Sequence, residues 1–218
     1  NPMKVNLNIS DVVMFYRDGT RMVAILTDIK GNPITNATVY FTINGKTYAR
    51  TTDTNGTASL AINLISKIYN STILYNGSDI YNSAFKNAKV TVLSVIESYD
   101  LVKYYKNESQ YYATFLDKQG NPVANNTTVT FNINGVFYTR YTNENGTAKL
   151  NINLIPANYI ITSIHPDGLQ RGNNIFVNKT LITYDISQPC NKTGTATFNA
   201  EVLDGQGRPL SNASVTFL

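Results

Sequence analysis

The modification motif that recurs most often in this sequence is Asn followed two residues later by Ser or Thr. This triplet is the acceptor of N-linked glycans and has to be exposed to be used. The chain of 218 residues holds 29 Asn, 26 Thr and 13 Ser, from which about five such triplets are expected by chance. The twelve candidate sites present are Asn8, Asn36, Asn55, Asn70, Asn76, Asn107, Asn125, Asn126, Asn145, Asn178, Asn191 and Asn212. Duplication of turn sequences is an alternative origin for two groups: Asn55 with Asn145, and Asn36 with Asn125 and Asn212.

Three aspartates form a second recurring pattern, because Asp28, Asp117 and Asp204 each open the turn Asp-x-x-Gly-x-Pro. One interpretation makes these carboxylates calcium ligands, but calcium requires about six to eight oxygen atoms and each turn guarantees one carboxylate. The favoured interpretation is that each Asp caps its own turn, which leaves the three residues as weak metal candidates. The same choice applies to three aspartates near the repeat junctions: Asp11, Asp100 and Asp185.

Residues for catalysis are lacking in the sequence. Cys190 and His165 are the only Cys and His, so an internal disulfide and a Cys/His zinc site are both excluded. The sequence contains no Gly-x-Ser-x-Gly motif and no phosphate-binding glycine loop. We therefore predict no catalytic residues, no cofactor and no enzyme.

The net charge is +4, but the 18 basic residues are spread along the chain without clusters. A nucleic-acid partner is therefore not predicted. No apolar run approaches the roughly 18 residues of a membrane span.

Tyrosine is abundant, with 15 residues. Arg50 follows Tyr48, and Arg140 follows Tyr138, which predicts an Arg laid over a Tyr ring in a cross-strand pair, with a carbohydrate-binding platform as the alternative. The second half of the chain also has a run of tyrosines that suits a ligand patch, although we expect at least half of them in the core: Tyr104, Tyr105, Tyr111, Tyr112, Tyr138 and Tyr141.

An internal repeat positions all these residues. The segments 16–65 and 105–155 are identical at 25 of 50 aligned positions, with one Asn inserted in the second copy. The front part of a third copy starts near Lys179. We predict repeats at 1–95 and 96–178 and an incomplete third repeat at 179–218.

Within each repeat the hydrophobic period is two, as in Val39, Phe41 and Ile43, which indicates strands with one buried face. Turn sequences such as Asn44-Gly45 recur about every ten residues. Seven strands are predicted in the first repeat, at about 8–16, 21–28, 37–43, 46–52, 57–64, 69–75 and 88–95. The fold class predicted is all-β, with tandem immunoglobulin-like antiparallel β-sandwiches arranged head to tail.

The string Tyr-x-Arg-x-Thr-x-x-Asn-Gly-Thr-Ala-x-Leu-x-Ile-Asn-Leu-Ile, which ends each copy at Ile65 and Ile155, resembles the Ig-like repeats of adhesin-like surface proteins of methanogenic archaea. Related repeats occur in bacterial invasin-type adhesins. The resemblance covers essentially the whole chain and implies a secreted, cell-surface or wall-associated protein without catalytic residues. The first repeat departs from the second in the segment 67–82, which has no counterpart of the His165-Pro-Asp-Gly loop.

We therefore predict a non-catalytic extracellular stalk or adhesin repeat that projects or forms a glycosylated surface fibre. The expected partners are glycans or proteins of a host or neighbouring cell, or further copies along a fibre. Two alternatives stay open: a filament subunit completed by strands of a neighbouring chain, and a carbohydrate-binding module with Tyr-rich loops.

Overall fold

The computed structural model describes residues 2–186, 194 and 197–218. Every regular element within these residues is a β-strand. The strands of the first half are β1 (Val5–Ile9), β2 (Val12–Phe15), β3 (Arg21–Asp28), β4 (Thr38–Ile43), β5 (Lys46–Thr51), β6 (Thr57–Ala61), β7 (Lys67–Tyr75) and β8 (Ala84–Leu93). Those that follow are β9 (Ile96–Ser98), β10 (Leu101–Tyr104), β11 (Gln110–Phe115), β12 (Thr128–Ile133), β13 (Val136–Tyr141), β14 (Thr147–Asn151), β15 (Ala157–Ile164), β16 (Gln170–Asn178), β17 (Leu181–Thr183) and β18 (Ala200–Val202).

The chain forms two compact units. Unit 1 comprises Asn1–Val95 with Leu116–Asn121, and unit 2 comprises Ile96–Phe115 with Pro122–Leu218. Residues 179–218, assigned by sequence to a third repeat, fall in unit 2, where β17 and β18 form a two-stranded antiparallel sheet. The division into three repeats stays a prediction.

Each unit contains one three-stranded and one five-stranded sheet with the same strand order. In unit 1 the orders are β1-β3-β6 and β2-β8-β7-β4-β5, and in unit 2 they are β9-β11-β14 and β10-β16-β15-β12-β13. All pairs are antiparallel except β2 with β8 and β10 with β16. This two-sheet topology is the immunoglobulin-like sandwich, and the predicted fold class is confirmed.

The first strand of each repeat is divided between the two sheets. The sequence predicted one strand over 8–16, whereas the structure has β1 against β3 and then, after Ser10 and Asp11, β2 parallel to β8. Buried positions change phase at this point, since Leu7 is buried before the break and Met14 and Tyr16 after it. The break turns the side chains over, so that each half faces the core from its own sheet.

The core of each unit consists of the inward-facing residues of both sheets. In unit 1, Phe41 and Ile73 are fully buried as neighbours in register across β4 and β7. In unit 2, Phe131 takes the place of Phe41, and its ring meets Tyr111 edge-on with the centroids 5.7 Å apart. The alternation that predicted the strands therefore also identified the buried faces.

The glycine of the Asp-x-x-Gly-x-Pro turn lies against an aromatic ring in two of the three copies of this turn. In unit 1, a Cβ added to Gly120 would approach the ring of Phe15, with Cε2 at 2.7 Å. In unit 2, a Cβ added to Gly207 would meet Tyr104, with its hydroxyl oxygen at 2.7 Å. Glycine is required at these positions both for the approach of the ring and for the positive φ of 84° and 78°.

Candidate functional site

The asparagines of the predicted glycosylation motifs are mostly exposed. Asn191 lies outside the described residues, and Asn107 is half-buried. The other ten side chains are exposed: Asn8, Asn36, Asn55, Asn70, Asn76, Asn125, Asn126, Asn145, Asn178 and Asn212. Exposure is a precondition of modification, and these ten sites satisfy it.

Asn107 differs from the other sites because its amide takes part in the fold. Its Nδ2 donates to the carbonyl oxygen of Gly205 at 2.6 Å, and its Oδ1 accepts from the backbone N–H of Ser109 at 2.8 Å. Attachment of a sugar to Nδ2 would displace the contact with Gly205. This position is therefore the least suited to carry a glycan among the described motifs.

The inserted asparagine of the second repeat is Asn125. Asn36, Asn126 and Asn212 share a left-handed conformation with φ of 53°, 62° and 58°. The backbone N–H groups of Asn36 and Asn126 also donate to equivalent carbonyls, those of Thr52 and Thr142. The structural counterpart of Asn36 is thus Asn126, and the sequence grouping of Asn36 with Asn125 was wrong by one residue.

The carboxylates of the three repeated turns bind their own backbone. Oδ1 of Asp117 accepts N–H groups from Gln119 and Asn121, both at 2.9 Å, and Asp28 makes the same pair of contacts. The side-chain amide of Asn32 lowers the pKa of Asp28, and the N–H of Asn121 lowers that of Asp117. Within the described ranges, no three His, Cys, Asp or Glu side chains lie together as a metal-ligand group. Asp28, Asp117 and Asp204 stay weak metal candidates, and a calcium titration of the melting temperature would test them.

The aspartates Asp11 and Asp100 lie where the first strand changes sheets. Oδ1 of Asp11 accepts the N–H of Lys89 at 2.8 Å, and Oδ1 of Asp100 accepts the N–H of Asn174 at 2.8 Å. Each carboxylate therefore joins the break in the first strand to the last strand of its repeat. Asp185 is exposed after β17.

The arginine and tyrosine pairs stack as predicted but along one strand. The guanidinium carbon of Arg50 lies 5.8 Å from the ring centroid of Tyr48, and that of Arg140 lies 5.7 Å from Tyr138. Residues two apart on one strand point to the same face, so the predicted cross-strand arrangement was wrong.

The six tyrosines of the second half occupy different environments. Tyr111 is 1% exposed, whereas Tyr112 and Tyr141 are 54% and 63% exposed. The other three, Tyr104, Tyr105 and Tyr138, are half-buried. The expectation that at least half of these tyrosines belong to the core was wrong, because Tyr111 alone is fully buried.

Tyr112 and Tyr141 line a groove of about 490 Å³ on unit 2, here named the tyrosine groove. Thr147, Lys149 and the side chains of Asn125, Asn126 and Asn143 complete its main lining. Tyr112 and Lys149 are direct neighbours in the register of β11 with β14. The groove thus combines two exposed aromatic faces with amides and one ammonium group.

A polar network in unit 2, in which buried hydroxyl groups meet the half-buried Asn173, was missed by sequence reasoning. Oδ1 of Asn173 accepts from the hydroxyls of Tyr111 at 2.9 Å and Ser98 at 2.6 Å, and the Ser163 hydroxyl lies 3.1 Å from that of Tyr111. Nδ2 of Asn173 donates to Asp100 at 3.2 Å.

Comparison of the two repeats could have revealed this network. Unit 1 has an apolar residue at each equivalent position: Ile9, Met22, Ile73 and Ala88. The signal of the network is that four apolar residues of the first repeat are all polar in the second. The residues that form its hydrogen bonds are more than fifty positions apart in the sequence.

Lys103 is a second buried polar group of unit 2. It is 5% exposed, and its Nζ donates to the carbonyl oxygens of Asn107, Ser109 and Ile152 at 2.5, 3.0 and 2.8 Å. Burial lowers the pKa of Lys103. Met14 occupies the same place in unit 1, next to the parallel strand β8.

His165 is 5% exposed and belongs to a turn. Its Nδ1 accepts the N–H of Asp167 at 3.0 Å, and its ring lies 6.0 Å from that of Phe115. The sequence predicted a loop histidine, and the contact with Phe115 gives it a packing role. Cys190 lies outside the described residues.

Comparison with known proteins gives matches among solved structures only. No family model and no curated protein matches the chain. A structure of a 1.5-MDa bacterial ice-binding adhesin is 14% identical over 84% of this chain and 69% of its own, with a TM-score of 0.32. Invasin, a bacterial integrin-binding protein, is 13% identical over 96% and 48%, with a TM-score of 0.34. The Yersinia pseudotuberculosis adhesin InvE is 16% identical over 79% and 58%, with a TM-score of 0.31.

This chain therefore spans about two thirds of the ice-binding adhesin structure, about half of the invasin structure and less than two thirds of the InvE structure. Within the described part of the chain, no helix has the length and apolar character needed to cross a membrane.

Proposed function

We propose that this chain is a non-catalytic repeat module of an extracellular adhesin-like stalk, in which each sandwich adds a fixed length. The observation that carries the proposal is the duplication itself: two units with the same strand order, each with its own core, arise from consecutive sequence repeats. Repeats of this kind increase reach by adding copies without any new fold.

The short connection between repeats supports a stiff spacer. Only Ser94 and Val95 separate β8 from β9, and neither residue is a glycine or proline. Two residues allow far less conformational freedom than a flexible linker of Gly and Ser.

Small-angle X-ray scattering of this chain tests the spacing function. Insertion of Gly-Ser-Gly-Ser between Ser94 and Val95 is expected to broaden the distribution of interatomic distances, because the linker then becomes flexible. The matched control places the same four residues between Asn44 and Gly45, in the turn of the β4–β5 hairpin. Equal effects of the two insertions would contradict a stiff connection.

We further propose that exposed Asn motifs carry glycans that protect the stalk from proteases. Asn55 and Asn145 support this function because they lie at equivalent exposed turns after β5 and β13. The intact mass of the native protein should exceed that of the bare polypeptide, and an unmodified mass would refute the proposal. The resemblance to surface proteins of methanogenic archaea makes such an organism the proposed source.

A surface partner on a host or neighbouring cell belongs to the same proposal, whereas self-association along a fibre belongs to the alternative. A filament subunit completed by strands of another chain is the alternative function. Sedimentation velocity separates the two, since a spacer stays monomeric at rising concentration and a filament subunit polymerises.

A further inference from the structure

We propose that the tyrosine groove of unit 2 binds an acidic polysaccharide. This function goes beyond spacing and does not depend on it, since a stalk repeat needs no ligand.

The two tyrosine rings of the groove are exposed in unit 2. Tyr112 and Tyr141 leave 54% and 63% of their surface exposed although they line the same concave surface. The face of an aromatic ring carries partial negative charge, which attracts the polarised C–H groups on the face of a sugar ring. Each of the two rings in the groove offers a face on which a sugar ring can stack.

The polar residues of the groove can form hydrogen bonds with the hydroxyl groups of a sugar. Asn125 and Asn126 offer amide donors and acceptors, which hydroxyl groups require on both sides of a hydrogen bond. Lys149 is the one charged side chain among the lining residues, all of which are described, and no carboxylate lines the groove. This charge favours a polysaccharide that carries carboxylate or sulfate groups over a neutral one.

Unit 1 lacks the groove's key residues at equivalent positions of the same fold. Val23 and Ser59 of unit 1 occupy the positions that Tyr112 and Lys149 occupy in unit 2. The position of Tyr141 is taken by Thr51 in unit 1. The sandwich therefore folds without the two aromatic rings or the lysine. Their presence in unit 2 points to recognition, and unit 1 supplies the residues for conservative test variants.

The test is titration calorimetry with tetragalacturonate as the acidic probe and a galactose tetrasaccharide as the neutral probe. The protein is the unglycosylated chain, because this proposal requires the side-chain amides of Asn125 and Asn126 to be unmodified. We expect the acidic probe to bind with a dissociation constant of about 1 mM or below, more tightly than the neutral probe. Tyr112→Val and Tyr141→Thr should each weaken binding about five- to tenfold.

Lys149→Ser should weaken the acidic probe and leave the neutral probe unchanged, with the difference disappearing at high salt. Tyr99→Ala serves as the control because Tyr99 is 79% exposed and does not line the groove. Since all three groove variants carry the residues of unit 1, circular dichroism should show an unchanged fold.

Three results would overturn the proposal. The first is absence of binding by the acidic probe, or binding that the tyrosine variants leave unchanged. The second is equal or tighter binding of the neutral probe. The third is a dimer in sedimentation that Tyr112→Val abolishes, since a second copy of this chain would then occupy the groove. The scattering experiment on the connection at Ser94 and Val95 is unaffected by all three, so the two proposals fail separately.

Discussion

The hydroxyl of Tyr111 donates to Oδ1 of Asn173 at 2.9 Å inside unit 2, where unit 1 has Met22 and Ala88. Removing one partner of a buried pair costs more than replacing all partners with apolar groups. We expect Asn173→Ala to lower the free energy of unfolding by about 2–3 kcal/mol, since two hydroxyls lose their acceptor.

Restoration of the unit 1 residues provides the matched comparison for this network. The combined variant Ser98→Ile, Tyr111→Met, Ser163→Ile and Asn173→Ala should lie within about 1 kcal/mol of the original chain. Urea unfolding followed by circular dichroism measures both variants. If the combined variant loses as much unfolding free energy as the four single variants together, the four residues do not act as a coordinated replacement.

Lys103 should make the stability of unit 2 depend on alkaline pH. Burial lowers its pKa in the folded chain, so the unfolded state binds more protons between the lowered pKa and the ordinary value of about 10.4. The free energy of unfolding therefore rises as the pH increases through that window. Below this pH window the buried ammonium group stays charged, and its desolvation lowers the free energy of unfolding by the full amount.

Lys103→Met removes this titrating group and places the residue of unit 1 at the site. The difference in unfolding free energy between the original chain and the variant should shift in favour of the original chain from pH 8 to pH 10.5, roughly the interval below the ordinary lysine pKa. Exposed Lys149→Met is the control and should leave the pH dependence unchanged. A constant difference across the interval would refute the assignment.

Asp100 should make the stability of unit 2 depend on acidic pH. The N–H of Asn174, with the amides of Asn173 and Asn174, holds the pKa of Asp100 below its ordinary value. An acid whose pKa is lowered by folding stabilises the folded state above its ordinary pKa, and this contribution disappears as the pH falls through the lowered value.

The variant Asp100→Ala is expected to be less stable at neutral pH and to lose less of its stability on acidification than the original chain. Thermal unfolding between pH 5 and about pH 2 measures this difference. If the melting temperatures of the two proteins fall equally with pH, Asp100 has no stabilising role at the break between β9 and β10.

Gly120 and Gly31 occupy the same turn position, with φ of 84° and 88°, but their surroundings differ. Gly31 has open space where a Cβ would be placed, whereas Gly120 lies against the ring of Phe15. Gly31→Ala should cost about 1–2 kcal/mol for the left-handed conformation alone. Gly120→Ala should cost more, because the ring must also move, and the additional cost should fall in the background of Phe15→Ala. Melting temperatures of the four variants measure the effect, and equal costs at both glycines would refute the contact.

The sequence predicted most strands because one face of each is apolar. β4 and β5, observed at Thr38–Ile43 and Lys46–Thr51, fall within the predicted ranges 37–43 and 46–52. The division of 8–16 was not predictable from periodicity, since the run Val12–Phe15 is apolar at every position and hides the change of phase.

The candidate sites were predicted unevenly for a similar physical reason. The exposure of motifs such as Asn55 follows from local turn chemistry, which the sequence displays directly. The tyrosine groove and the network around Asn173 combine side chains from strands that are distant in the sequence. Their assembly depends on strand register, which a single repeat does not reveal but the difference between two repeats partly does.

The parallel pairing of β2 with β8 determines how a repeat resists tension. Val12 to Phe15 run beside Val90 to Leu93 in the same direction, so a force on the two ends of the repeat slides one strand along the other. The ladder bonds between them then bear the load together, rather than opening one at a time as they would in a hairpin pulled from its open end. After β1 has separated from β3, this short parallel pair is the part of unit 1 that resists further extension. The pair β10 with β16 has the same place in unit 2.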